Sequence, residues 1–364
     1  MPQTVIAWGD PKAVKKWSPL LSTQVHRKGY FSKRFIGKGE NHVIEQKDDV
    51  ASDAGDRISF DLSVKLKQRP TSGDARVKGK EENLKFFTDE VVIDQQRHPV
   101  SAGGRMTRKR TVHDLRKIAK DRLAEYWQQY MDEMFFIYLS GARGINEEFI
   151  EPEGYAGHAT NPVEAPNATH QLYAGAATSK ATIADTHNMN TELVERAATH
   201  AKMIRAKDQD ATDMMPVDVE GNKHYVIVMS PYQAYTLRTT TTANNWLDFQ
   251  KAAAGAEGRN NPIFKGSLGM INNVVLHEHE NVIRFSDYGS GNNLPAARAL
   301  FMGRQAGVVA YGTPGGMRFM WKEEMEDYDN EPTVVAGLIW GVKKTRFNGR
   351  DFGVIALDTH AKAV

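Results

Sequence analysis

The strongest constraint on this chain is a run of helical periodicity longer than most globular helices. Between Thr111 and Leu139, apolar residues fall at Val112, Leu115, Ile118, Ala119, Leu123, Tyr126, Trp127, Tyr130, Met131, Met134, Phe135 and Tyr138. This is the three-and-four spacing of one face of a single helix. Roughly 29 residues at 1.5 Å each span on the order of 43 Å, so the helix is expected to act as a strut. Its last two turns, Met134 to Leu139, are apolar almost all round, which predicts that this end is the buried one. The first end is basic: eight Lys and Arg between Arg105 and Arg122 stand against Asp114 and Asp121, a net +6. Thr111 with Asp114 three residues on resembles a weak capping box, and Gly141 and Gly144 offer the stop.

Ahead of the helix the period changes from helical to two. Ile58, Phe60, Leu62, Val64 and Leu66 alternate with Ser59, Asp61, Ser63 and Lys65, the pattern of a half-buried strand. Pro70, Ser72, Gly73 and Asp74 supply turn chemistry, and Asn83 to Ile93 leads back with Leu84, Phe86, Phe87, Val91, Val92 and Ile93. The tip of this long hairpin, Lys65 to Lys80, carries Lys65, Lys67, Arg69, Arg76, Lys78 and Lys80 against the single Asp74, a net +5. An isolated two-stranded excursion cannot bury its own apolar face. It needs a neighbour, in this chain or in another.

A second charged segment precedes the hairpin. From Pro11 to Gly39, Lys12, Lys15, Lys16, Arg27, Lys28, Lys33, Arg34 and Lys38 meet no acidic residue, and the apolar residues among them follow no period. This predicts an extended basic arm ordered by lying on something else; the bland alternative is the solvated face of a small helix or hairpin. The whole chain averages only +2 over 364 residues, which excludes a uniformly basic nucleic-acid coat but not local segregation of charge. With no cysteine, there is no disulfide framework, thiolate metal site or cysteine nucleophile. No apolar run is long enough for a membrane span, and Met1 to Asp10 lacks the features of a secretory signal, so a cytosolic product without a membrane partner is expected.

After the strut, Asn146 to Thr191 reads as irregular, and Thr191 to Lys207 as an amphipathic helix with Thr191 as its N-cap. His224 to Met229 reads as a buried strand, with Ser230-Pro231 opening a helix through Leu237. Further strands are expected at Val274 to Glu278, Arg298 to Met302, Arg318 to Lys322, Val334 to Val342 and Phe352 to Leu357. The fold class is therefore α+β, with the last third mainly β and no internal repeat.

Constellations that could carry chemistry are weak. His277-Glu278-His279 would place two histidines on one strand face beside a carboxylate, the start of a zinc site, but the helical His-Glu-x-x-His spacing is absent; the alternative is an exposed polar strand end. Asp327, Asp329 and Glu331 lack the spacing and glycine of a calcium loop and read as a solvated acidic loop or an inter-subunit salt-bridge partner. Gly266-x-x-Gly269 and Gly312-x-x-Gly315-Gly316 lack the Lys-Ser/Thr of a phosphate loop. No catalytic residue, cofactor or metal is assigned. An arm, a protruding hairpin and a strut all present surface that one small chain cannot cover, which points to a subunit of an assembly rather than an enzyme.

The order of these elements resembles the major capsid proteins of tailed phages, the Hong Kong 97 fold. The resemblance is carried by Asp56-Arg57-Ile58, Glu81-Glu82-Asn83-Leu84-Lys85-Phe86, Arg97-His98-Pro99-Val100, and Met106 to Arg110 leading into Asp114-Leu115-Arg116. It continues through Leu139-Ser140-Gly141-Ala142-Arg143-Gly144, Asn261-Pro262-Ile263-Phe264, and Leu300 to Ala306 with Ala310-Tyr311-Gly312. Together these are similar to the coat-protein family of coliphage N-four and related phages, over about Asp56 to Leu357.

The resemblance implies a basic N-terminal arm over 1–55, an extended hairpin loop over 56–100 and a peripheral domain over 101–189 with its spine helix at about 107–139. It implies an axial domain over 190–300 and, over 301–364, C-terminal strands returning to the peripheral domain. The expected function is self-assembly, through hexamers and pentamers, into an icosahedral head shell around double-stranded DNA. Lys67, Arg69, Arg76, Lys78 and Lys80 would lie on the inter-subunit loop. Lys12, Lys15, Lys16, Arg27, Lys28, Lys33 and Arg34 would face packaged DNA. Separate scaffolding, portal and decoration proteins would be further partners, and the product would be made in the host bacterial cytoplasm and end in the virion. The rival readings are a metal-dependent hydrolase using His277, Glu278 and His279, and another ring-forming virion protein.

Overall fold

The computed structural model describes residues 25, 29–48, 55–110, 114–207, 213–240, 250–251, 262–313 and 317–362. The strut is a continuous helix, Leu115–Ser140. Its first turn is capped by Asp114, whose Oδ1 accepts from the Lys117 backbone N at 3.2 Å. Thr111, expected to share that cap, lies outside the described residues. The stop is at Gly141, which takes φ of +69° and donates its N–H to the Ile137 carbonyl. A Cβ at that position would sit 2.1 Å from the Glu164 carbonyl oxygen, so both conformation and space demand glycine. Every residue from Tyr130 to Ser140 is buried, as the apolar last turns predict.

Two sheets flank this helix. The first orders Ile36–Lys38, Ile44–Lys47, Gly307–Tyr311, Glu331–Lys344 and Met320–Glu326, with Asp94–Ser101 on the opposite side of the long strand Glu331–Lys344. The second orders Gly269–Ile271, Val274–Glu278, Asn222–Met229, Leu294–Met302, Val354–His360 and Gln171–Tyr173. In Asn222–Met229, Val226 and Val228 enter the core beneath the strut, while Tyr225, Ile227 and Met229 enter a second core under helices Thr191–Lys207 and Pro231–Thr240. Covered on both faces, the strand reads as an unbroken apolar run instead of an alternation.

Several expectations shift against the coordinates. The helix Thr191–Lys207 has the expected bounds, but its cap is Asn190, whose Oδ1 accepts from the Leu193 N at 2.9 Å. The strand expected at Arg318 to Lys322 is Met320–Glu326. Two strands were not among those expected. Asp94–Ser101 is polar and held by its eight-residue ladder to the long strand; Gly307–Tyr311 is an apolar run of only five residues. Of the C-terminal strands, Glu331–Lys344 lies in the first sheet and Val354–His360 in the second, where it pairs with Leu294–Met302 over seven residues.

The N-terminal segment also differs. From Gly29 onward its apolar residues are core: Tyr30–Arg34 is a short helix, and Phe31 and Phe35 pack against Phe135, Phe136 and His277. The spine carboxylate Asp132 accepts from the Tyr30 N at 2.8 Å and the Phe31 N at 3.1 Å. Burial pushes that carboxyl up to about 6. Its neighbour Glu133 accepts from the Ile150 and Glu151 amides, both at 2.8 Å, and burial raises its pKa also. Adjacent carboxylates on the strut thus pin one segment before it and one after it.

The second sheet meets the strut's end at a buried ion pair between neighbouring strands. Arg298 donates from Nε and Nη2 to both carboxylate oxygens of Asp358, at 2.7 and 2.9 Å, and from Nη1 to the Ser140 carbonyl at 3.0 Å. Tyr288 and Gln171 donate to Asp358 Oδ2, at 2.9 and 2.6 Å. A cation at the last helical carbonyls also complements the helix dipole. Replacing Arg298 by Ala leaves the Asp358 carboxylate buried and without its charge partner, an expected loss of about 3–5 kcal/mol. Urea unfolding of Arg298→Ala beside the wild type checks it; a loss under about 1 kcal/mol would show the pair to be dispensable.

Candidate assembly surface

The hairpin strands Arg57–Ser63 and Phe86–Val92 pair antiparallel from Arg57 with Val92 to Ser63 with Phe86. Side chains alternate across them, and the inward set roots the hairpin: Ile58, Val91 and Ile93 bury against Val308 and Ala310, with Phe60 and Ile339 at the margin. Three polar residues lock the root. Asp89 accepts from Lys343 Nζ at 2.5 Å and from the Arg346 N at 3.0 Å. Asn161 bonds both backbone groups of Val92, accepting at 2.9 Å and donating at 2.8 Å.

Beyond the strands the loop of residues 64–85 has no regular structure and is organised by one carboxylate. Glu82 accepts from the backbone N–H groups of Lys67 and Gln68, each at 2.8 Å, and those bonds hold its carboxyl below the usual range. The Gln68 amide donates to the Lys80 carbonyl at 2.7 Å, closing the neck. The loop therefore has a defined shape while staying solvated. Lys67, Arg69, Arg76, Lys78 and Lys80 are all exposed on it. So are large apolar side chains: Leu66, Val77 and Leu84 are each 62% exposed and Phe86 58%. Apolar side chains exposed together on a shaped protrusion are the mark of a surface that meets a partner.

Of the basic-arm residues, Lys12, Lys15, Lys16, Arg27 and Lys28 lie outside the described residues. Lys33 is exposed, while Arg34 lies over the Tyr30 ring at 4.9 Å and donates to the Lys265 carbonyl at 3.1 Å. The His277-Glu278-His279 segment is not the exposed polar strand end expected. His277 is buried with Nε2 2.7 Å from the Ile263 carbonyl oxygen, and its ring packs edge-on against Phe35. His279 packs against Tyr30, Glu278 accepts from Arg238, and among the described residues no three metal-ligating side chains converge. The strand Val274–Glu278 runs between two neighbours and under the N-terminal segment, which buries what the sequence pattern leaves at an end. Asp327 and Asp329 form the exposed turn between Met320–Glu326 and Glu331–Lys344.

The residues that root the hairpin were not singled out from sequence. Asp89 carried a signal, a carboxylate in line with Phe87 and Val91 on the inward face of its strand. Asn161 carried none, since it reaches Val92 from 69 positions away.

Comparison with known proteins gives a consistent result. A family model described as phage capsid protein matches residues 5–363. The capsid of Ralstonia phage GP4 is 63% identical, with 100% of this chain and 99% of that one covered and a TM-score of 0.88. The major capsid protein of Pseudomonas phage KPP25 is 26% identical, with 93% of each chain covered. The cyanophage Pam1 capsid, at 22% identity and a TM-score of 0.71 over 93% of this chain and 94% of that one, shares the fold. The mixed helix-and-sheet architecture is that of Hong Kong 97-type capsid proteins, as the order of elements implied.

The buried histidines make a prediction about pH. Burial depresses His277 and His279 to about 4 each, with Arg34 adding to the effect, and His170 to about 3. A folded-state value below the unfolded one means that the unfolded chain binds more protons, so stability is intact above about 6.5 and is lost as pH falls toward 4. The buried carboxyls Asp132, raised to about 6, Glu133 and Asp351 work oppositely, adding stability as pH falls toward their unfolded values, but His98, His158 and His360 are depressed by burial as well, so six histidines stand against three carboxyls. Urea midpoints are expected to drop between pH 7 and 4.5, and His277→Gln to flatten that slope. An unchanged slope in the variant would remove His277 from the account.

Proposed function

We propose how this chain builds a shell, given that it belongs to the phage capsid protein family and is a major capsid protein. Copies self-associate through hexamers and pentamers that close into an icosahedral head around double-stranded DNA. The observation that carries this reading is the extended hairpin. Its root is fixed by Asp89, Asn161 and an apolar cluster, while its shaped tip holds Leu66, Val77 and Leu84 in solvent. A rigid base with an unsatisfied tip suits a segment completed by the next subunit.

In this proposal the strut and the sheet containing Glu331–Lys344 form the peripheral region, and the sheet built around Asn222–Met229 with its two helices forms the axial region about the capsomer centre. The basic arm lies on the inner face, where its lysines offset DNA repulsion through sequence-independent phosphate contacts. Scaffolding, portal and decoration proteins complete the particle as separate chains.

Two outcomes test this. Replacing residues 64–85 by a two-residue turn, which leaves the root and both strands in place, should preserve the monomer's melting temperature while abolishing rings and shells in negative-stain micrographs; shells formed without the tip would end the proposal. Lys12→Ala, Lys15→Ala and Lys16→Ala together should leave shells intact but lower DNA retention, measured as the DNA-to-protein ratio of purified particles. An unchanged ratio would take the arm out of DNA contact.

A further inference from the structure

A cleft of about 470 Å³ runs between the hairpin and the body of the molecule. One wall is the hairpin face that carries Phe60, Leu62 and Phe87, and the other includes Met215, Arg304 and Phe352. The rings join into one apolar surface: Phe60 meets Phe347 edge-on at 5.9 Å, and Phe347 meets Phe352 edge-on at 5.3 Å. Farther out along the hairpin, Lys65 Nζ reaches across to Asp213 at 2.6 Å. The cleft is therefore held between a rooted strand pair and a fixed body, with an aromatic wall at the root.

Arg304 adds a placed charge to that wall. It stands in the turn between Leu294–Met302 and Gly307–Tyr311, and three backbone bonds fix the turn. The Arg304 N–H donates to the Met215 carbonyl at 2.9 Å, the Gly303 N–H to the Gly353 carbonyl at 2.9 Å, and the Gln305 N–H to the His42 carbonyl at 2.8 Å. A Cβ on Gly353 would lie 2.6 Å from the Arg304 carbonyl oxygen, so the turn is packed at backbone distance. From this rigid base the side chain lines the cleft; its Nε is shielded from solvent and, among the described residues, has no hydrogen-bond partner. The nearby carboxylates are engaged elsewhere. Glu45 is held by Lys47 at 2.7 Å and by Gln305 at 2.8 Å, Asp213 by Lys65, and Asp61 by Thr88. A sheltered guanidinium N–H with no acceptor is costly to keep, and a carboxylate, sulfonate or phosphate is the group its fork reads best.

We propose that this cleft is a binding site for a small amphipathic anion, its acidic head on Arg304 and its planar apolar body against Phe60, Leu62 and Phe352. The volume lies in the range of small-molecule sites, and apolar walls with few placed polar groups are their usual composition. Lys67 and Lys85 line the hairpin side as well, so five cations face four carboxylates around the cleft and its charge favours an anion. Because the turn that carries Arg304 is already fixed, little ordering opposes binding.

Two fluorescent probes test this: anilinonaphthalene sulfonate, and phenylnaphthylamine, which has the same rings without the sulfonate. The titrations use the unassembled full-length chain, so the outcome does not depend on shell formation, and circular dichroism melts check that each variant folds. Wild type should bind the sulfonate saturably and about tenfold more tightly than the neutral amine. Arg304→Gln should abolish that preference while still binding the amine. Leu62→Trp, which fills the cleft from the hairpin side, should weaken both probes about tenfold, and it carries the test if Arg304→Gln fails to fold. Leu66→Ser with Leu84→Ser, which strips apolar surface from the exposed loop, should change neither affinity. The proposal is overturned by a wild type without saturable sulfonate binding, by an Arg304→Gln or Leu62→Trp variant that binds the sulfonate like wild type, or by loss of binding in the loop variant, which would place the probe on the hairpin tip.

Discussion

Everything in this structure is hung on one strand. Glu331–Lys344 pairs with Gly307–Tyr311 and Met320–Glu326 along one side and with Asp94–Ser101 along the other. Its even-numbered residues Val334, Ala336, Leu338, Trp340 and Val342 face the strut and carry the shared core. The opposite face must let other chain segments cross at backbone distance, and glycine allows it: a Cβ on Gly341 would lie 2.0 Å from the Val92 carbonyl oxygen. The period of two thus serves both functions at once, bulk toward the core and absence of bulk toward the hairpin root. The same strand reaches the hairpin's anchor at Lys343 and the acidic turn at Glu331, so it sets the spacing of those two features.

Charge is used in two registers. In the interior it is paired and hydrogen-bonded: Arg298 with Asp358 at the end of the strut, and Lys344 with Asp351 at 3.1 Å near the C-terminal strands. Asp132 and Glu133 instead accept backbone amides, so each holds a segment that is remote in sequence. Such contacts are costly to half-break, which suits a subunit whose body must stay constant while its neighbours vary. On the exterior, like-signed charge gathers at the hairpin tip and at residues 322–331, beside exposed pairs such as Arg122–Glu125 and Lys322–Glu324. Segregation of that kind serves encounter and register between copies more than stability.

Much of the architecture was legible in the residues. The strut, its buried end, the two-stranded excursion, the helix Thr191–Lys207 and the strand Val274–Glu278 all follow from period and end signals. Those signals are local, because a 3.6-residue or two-residue repeat is imposed by the element's own geometry. What failed was of another kind. Asp94–Ser101 shows no apolar alternation because two of the three side chains it half-buries are polar: Gln96 bonds Tyr130 and Trp340, and His98 stacks on Tyr126. The burial of the histidines at 277 and 279 has no local signal, because the segment that covers them, Tyr30 to Phe35, lies over 240 positions earlier.

The sequence by itself determined the class of structure, the strut, the protruding hairpin, the basic tip and the need for neighbours, because periodicity and charge density are properties of short segments. The tertiary structure alone decided that Phe31 and Phe35 are core and that Asp89 and Asn161 hold the hairpin's base. It also decided that Arg298 and Asp358 meet beneath the end of the strut. Each of those depends on bringing together residues tens to hundreds of positions apart, and the loop closures that do so are settled by competition among all such contacts at once. No residue's immediate neighbours carry that information.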